Sequence, residues 1–130
     1  MRVLLLGGNG QVGTELQRSL APLGEILVGT RQGTREDGSR CETADLDDAQ
    51  ALQALVARIA PDVVVNAAAH TQVDKAESEP AAAFRANAEA PAAIADACAR
   101  SGALLVHYST DYVFDGSGTR PYREDDPVAP

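Results

Sequence analysis

Apolar residues along this chain form short unbroken runs. Between them lie stretches where apolar side chains recur every three or four positions, and the two patterns alternate. Arg2 to Leu6 is a run stopped by glycines. A strand reads this way when both of its faces are covered, as in a parallel sheet. Gly7 to Gly10 follows as a turn. Val12, Leu16 and Leu20 then recur at four-residue spacing, which predicts a helix over Gln11 to Pro22, ended by Gly24. Glu25 to Thr30 predicts a second buried strand, Gln32 to Arg40 a polar surface loop, and Cys41 to Ala44 a short third strand.

Asp45, Asp47 and Asp48 suit the start of the next helix, where short acceptors and negative charge meet unpaired amides. Leu52, Leu55, Val56 and Ile59 give that helix one apolar stripe, and Pro61-Asp62 breaks it. Val63 to Ala68 predicts a fourth strand. Pro80 fits a first helical turn, so Ala81 to Arg100 reads as one long Ala-rich helix closed by Gly102. Ala103 to Ser109 predicts a fifth strand, and Thr110 to Pro130, with its turn residues and three prolines, a loop. Alternating strands and helices imply right-handed crossovers. The predicted fold is a single α/β domain over residues 1–130: a Rossmann-type, doubly wound parallel sheet of strand order 3-2-1-4-5. Its ligand crevice lies at the carboxyl ends of strands 1 and 4.

Composition narrows the function. The chain is 45% hydrophobic but only 4% aromatic, with no Trp, so its core is aliphatic; VLLLGG, ILVGT, DVVVNAAA and ALLVHYS supply it. The net charge of −8 argues against a nucleic-acid partner and requires that any bound phosphate be held by local features. Cys41 and Cys98 lack CxxC or metal-ligand spacing and read as reduced thiols, and no metal site is expected. Four apolar residues before Gly7 are too few for a signal peptide or membrane helix. The expectation is a soluble cytoplasmic protein without a membrane partner.

Gly7-Gly8-Asn9-Gly10-Gln11-Val12-Gly13 contains the spacing GxxGxxG between the first strand and the first helix. Gly7 permits the tight turn, Gly10 lets a pyrophosphate approach the backbone, and Gly13 lets helix pack on strand. The amides at the helix start face the phosphates and answer the problem of net charge locally. The second strand ends in Thr30-Arg31, where a site for NAD ordinarily carries an acidic residue for the ribose 2′-hydroxyl. Thr30 does not repel a 2′-phosphate and Arg31 can pair with one, so NADPH is the expected cofactor, with NADH also admitted. Arg31 as a solvated loop charge is the plainer alternative. Asp45-Leu46 is positioned to reach an adenine ring; Asp45 capping the following helix is the plainer reading, and both can hold at once. In Asn66-Ala67-Ala68-Ala69-His70 the small side chains leave room for a ligand, with His70 a wall residue and not a base. Hydroxyls gather at the end of the fifth strand in Tyr108-Ser109-Thr110-Asp111-Tyr112. One of them can donate to a carbonyl being reduced, or Thr110 and Asp111 simply begin a turn.

Three stretches, GNGQVGTELQRSLAPLG, NAAAHTQVDKAESEP and HYSTDYVFDG, resemble the extended short-chain dehydrogenase/reductases and, within them, the dTDP-4-dehydrorhamnose reductase family. The resemblance runs from Met1 to Pro130. It implies hydride transfer from NADPH or NADH to C4 of a dTDP-4-keto-deoxysugar, giving dTDP-L-rhamnose. It implies cofactor contacts at Gly10, Gln11, Val12, Thr30, Asp45, Leu46, Ala69, His70 and Thr71. Thr110 is then the hydroxyl of the catalytic group, Asp111 lies by the sugar, and a homodimer is left open.

The family also uses a Tyr-x-x-x-Lys pair. Tyr108, Tyr112 and Tyr122 are followed four positions on by Tyr112, Gly116 and Asp126, and the only lysine is Lys75. The expectation is therefore the N-terminal, NAD(P)-binding part of a longer reductase, without its substrate domain and inactive alone. The alternatives are a non-catalytic dinucleotide-binding or regulatory module, and another nucleotide-sugar epimerase or dehydratase.

Overall fold

The structure, a computed structural model, describes residues 1–129, and within them every side chain but that of Asp111. β1 (Arg2–Leu6) is the middle strand, and its apolar residues Val3 to Leu6 are covered on every side. β2 (Glu25–Thr30) and β4 (Val63–Asn66) flank it, with Leu6 opposite Gly29 on one side and Asn66 on the other. β3 (Glu42–Thr43) and β5 (Leu104–His107) form the edges. Every strand pairing is parallel and the order is 3-2-1-4-5, as the alternation of patterns predicted.

The two faces of the sheet are covered unequally. On one face Leu4, Leu6 and Val64 pack against α2 (Ala49–Ile59) through Leu52, Leu55, Val56 and Ile59, and against α5 (Ala90–Ser101) through Ala90, Ile94, Ala97 and Cys98. Leu4, Leu52, Val56, Val64 and Ile94 are at most 1% exposed, and each such burial stabilises by roughly 1.5–3 kcal/mol. On the other face Val3, Leu5 and Val65 meet Leu16 and Leu20 of α1 (Gln11–Leu20). Past α1 this face is open, and Leu104 and Val106 of β5 are 61% and 41% exposed. The ALLVHYS run thus supplies the core only through Leu105 and Ala103, not along its length.

Several boundaries differ from the pattern for identifiable reasons. α1 ends at Leu20, and a short tight turn over Ala21–Leu23 carries the chain to Gly24. β4 stops at Asn66, two residues early, because the Asn66 side chain accepts from the Ala68 amide and turns the chain away. With its partner ended, β5 stops at His107 instead of Ser109, after a last backbone bond from Tyr108 N to Asn66 O. A six-residue helix, α3 (Val73–Ser78), lies within the HTQVDKAESEP stretch and showed no apolar stripe in the sequence. The long helix is interrupted: α4 (Pro80–Phe84) passes into a widened turn over Arg85–Glu89 before α5 begins. Pro91 explains the break. It has no amide to give to Asn87, and its ring would crowd that carbonyl in a regular helix; the wider turn relieves both. A single turn over Asp111–Val113 is the one helical element of the C-terminal loop among the described residues.

Candidate functional site

Strand β1 runs into Gly7 and β4 into Ala67, and between them the chain opens a cleft of ≈ 920 Å³. It lies where the strand order reverses, outside the carboxyl ends of the strands. The glycine loop and the start of α1 (Gly7, Gly10, Gln11, Val12) form its floor. Thr30 and Arg31 close the β2 side with Asp45 and Leu46. Ala68, Ala69, His70 and Thr71 form the β4 side. The structure therefore gathers every sequence-predicted cofactor residue into one wall except Gly13, which sits directly behind it. Asn9, Gln32, Asp47, Gln72, Lys75 and Glu79 also line the cleft and were not singled out as ligand contacts from the sequence. Three of them lie on or beside α3, whose existence only the tertiary structure reveals.

The glycines of the loop have different reasons to be glycine. Gly7 has φ +86°, and a Cβ there would stand 2.7 Å from Ala68 N. At Gly8 a Cβ would meet Val28 Cγ1 at 2.2 Å, and at Gly13 it would meet Gly7 O at 2.0 Å. These three are glycines because the protein packs against them. Gly10 is extended (φ −77°, ψ 164°), and a Cβ there would touch only Gly7 O, at an ordinary 3.4 Å. Among the described residues nothing forbids a Cβ at Gly10, which lines the cleft.

Gly10 begins α1 without a side-chain cap, and no acidic residue occupies the first turn. Among the described residues the amides of Gln11, Val12 and Gly13 have no acceptor, while Thr14 N already bonds Gly10 O. A phosphate group fits this end of the helix by charge and by donor count.

The β2 end differs from its simple reading. Thr30 is buried, and its hydroxyl both donates to Thr34 O (2.9 Å) and accepts from Thr34 N (3.1 Å). Its side chain holds the polar loop in place and leaves no free donor for a ligand. Arg31 is neither free nor merely solvated. Its Nε lies 3.3 Å from Asp45 Oδ1, and a terminal nitrogen donates to Asp47 Oδ2 at 2.7 Å. Asp47 Oδ1 also meets Arg85 Nε at 3.3 Å. The cap of α2 is Asp48, accepting from Ala51 N at 2.9 Å, so the capping alternative for Asp45 is set aside.

On the β4 side Asn87, on the widened turn, accepts from His70 N and donates to His70 O. His70 Nδ1 is buried with no partner among the described residues. Asn87 was missed because the sequence showed an unbroken helix there, and only Pro91 hinted otherwise.

Thr110 stands apart. It is exposed, does not line the cleft, and its Oγ1 accepts from Tyr112 N at 3.1 Å, the turn that the plainer reading allowed. The Asp111 side chain falls outside the described residues. Cys98 is buried and its thiol is pushed up by that burial; Cys41 is half-buried beside Thr30, and both are free. Among the described residues no helix is long and apolar enough to cross a membrane.

Sheet order, crossovers and cleft together define a Rossmann-type α/β domain. The whole chain, residues 1–130, matches the RmlD substrate binding domain family and belongs to it. It is 50% identical over 130 residues to a dTDP-4-dehydrorhamnose reductase of Burkholderia thailandensis, covering all of this chain and 40% of that protein. It superposes on the crystal structure of a dTDP-4-dehydrorhamnose reductase from Clostridium acetobutylicum with a TM-score of 0.87 at 37% identity, over 100% of this chain and 43% of the other. A dTDP-4-dehydrorhamnose reductase from Bacillus anthracis, solved in complex with NADP, gives a TM-score of 0.85 at 35% identity, over 99% and 43%. The chain thus spans about two-fifths of the length of the relatives it matches.

Proposed function

We propose that the cleft binds NADPH, with NADH as a second acceptable cofactor, and that residues 1–130 are the cofactor-binding part of a longer dTDP-4-dehydrorhamnose reductase. The observation that carries the cofactor reading is Gly10, where a Cβ would meet no close packing among the described residues and where the helix begins with unpaired amides. Gly10, Gln11 and Val12 then cradle the pyrophosphate, with Gly7 and Gly13 shaping the turn behind it. Asp45 and Leu46 take the adenine, Arg31 the ribose end, and Ala68, Ala69, His70 and Thr71 the far end. The family match and the NADP complex of a 35% identical relative support the same assignment.

When bound, the cofactor supplies a hydride. The substrate read from the relatives is the 4-keto group of dTDP-4-dehydro-L-rhamnose, the product dTDP-L-rhamnose. Thr110 is the group proposed to meet the carbonyl, with Asp111 toward the sugar. Because Thr110 Oγ1 already accepts from Tyr112 N, its own proton is left for donation. A threonine hydroxyl is too weak an acid to protonate the product alkoxide unaided, so a further acid completes the site. On this reading the protein works in the cytoplasm on nucleotide sugars for cell-surface polysaccharide such as lipopolysaccharide, and a homodimer is its assembly.

A non-catalytic dinucleotide-binding module is the second reading, and the absence of Thr110 from the residues lining the cleft favours it. NADPH oxidation driven by dTDP-4-dehydrorhamnose separates the two. The full-length protein turns over, its Thr110→Val variant loses most of that rate, and the 130-residue chain alone is inactive. No turnover by the full-length protein leaves the binding module standing.

A further inference from the structure

Asp47 joins Arg31, which lines the cleft with it, to Arg85 on the widened turn behind. One carboxylate oxygen takes Arg31 at 2.7 Å and the other takes Arg85 at 3.3 Å, while Asp45 adds a second carboxylate on Arg31. Two guanidinium groups and two carboxylates cancel in formal charge. The arginines come from separate elements, the end of β2 and the widened turn before α5, so Asp47 ties these two elements together. It does not cap α2, a role that falls to Asp48.

This arrangement acts differently on the two cofactors. A ribose 2′-phosphate carries close to two negative charges and needs cationic partners. To reach Arg31 it must take the guanidinium from Asp47 and then remain beside that carboxylate, a like charge at short range. A ribose 2′-hydroxyl is neutral and competes for nothing. The penalty therefore falls on the phosphorylated dinucleotide alone.

We propose that Asp47 is a specificity-determining residue: by holding Arg31 and Arg85 in ion pairs it restrains recognition of the 2′-phosphate and keeps the unphosphorylated dinucleotide competitive. The inference rests on the dinucleotide reading of the cleft. It deepens that reading, because Arg31 alone favours NADPH whereas Arg31 with Asp47 sets a balance between NADPH and NADH.

Isothermal titration of the full-length protein with NADP+ and with NAD+ tests it, comparing wild type, Asp47→Asn and Asp47→Asn/Arg31→Ala. Asn keeps the shape of Asp47 and removes its charge, and the side chain is 37% exposed, so the fold is retained. The ion pairs are solvent-exposed and individually modest, so Asp47→Asn is expected to tighten NADP+ by about three- to tenfold, with NAD+ unchanged within about twofold. Added salt shrinks the gain, and Arg31→Ala in the same background removes most of it. Unchanged or weaker NADP+ binding, or an equal shift for both nucleotides, overturns the role of Asp47 while leaving the cofactor reading intact. A wild-type protein that binds neither nucleotide overturns both.

Discussion

The side-chain amide of Asn87 is bonded to both backbone groups of His70, accepting from its N–H at 2.8 Å and donating to its C=O at 3.0 Å. The pair fastens the widened turn of the long helix to the β4 wall of the cleft. Asn87 lies in the widened turn over Arg85–Glu89.

Replacing Asn87 tests that tie. Both bonds are exposed, so Asn87→Ala is expected to cost about 1–2 kcal/mol of stability, read from the denaturant midpoint. Nucleotide affinity falls severalfold because His70 and Thr71 lose their fixed position. Asn87→Asp keeps the acceptor for His70 N but cannot donate to His70 O, and it lies between the two. A variant with full stability and full affinity would remove Asn87 from the site.

Gly10 and Gly13 separate ligand from fold. A Cβ at Gly13 stands 2.0 Å from a backbone oxygen and 2.8 Å from its carbon, so strand and helix must part. Gly13→Ala should lower stability by about 1–3 kcal/mol, visible as a fall in Tm. Gly10→Val sits in an extended conformation open to valine, so its Tm should stay near wild type while NADPH binding is lost in titration. Unchanged NADPH affinity in Gly10→Val would sink the placement of the pyrophosphate.

Acid should loosen the C-terminal loop before the core. The Ser117 amide first, then the Ser117 hydroxyl and the Tyr122 hydroxyl, bond Asp115 and hold its carboxyl below its ordinary 3.8. Arg120 first, then the Arg123 amide, do the same for Asp126. A carboxyl whose pKa is lowered on folding contributes stability that is complete above its unfolded value and lost as pH falls through the folded one. Below about pH 3.8 the Tyr122 ring, stacked on Phe114 at 4.4 Å, should begin to lose its place. Tyr122 ring-proton shifts followed from pH 5 downward check this, with the Leu4 and Val64 methyl signals as the core reference. Tyr122 and the core methyls moving together would show that the loop has no separate acid response.

The sequence by itself determined the sheet and its switch point. Runs such as Val3–Leu6 and Val63–Val65 are apolar on both faces, which suits a covered parallel sheet; glycines at fixed spacing then mark where the first strand turns. It also named most of the cleft, because those residues follow directly from strand ends. Tertiary structure alone decided what is made between elements. Arg31 looks like a free cation until Asp45 and Asp47 arrive beside it, and Thr30 looks available until its hydroxyl closes on Thr34. Asn87 looks like one more position in an Ala-rich helix until Pro91 opens a turn against His70. Local pattern records what each residue prefers to be near, but ion pairs and amide clamps across 17 or 38 residues depend on which elements the fold brings together.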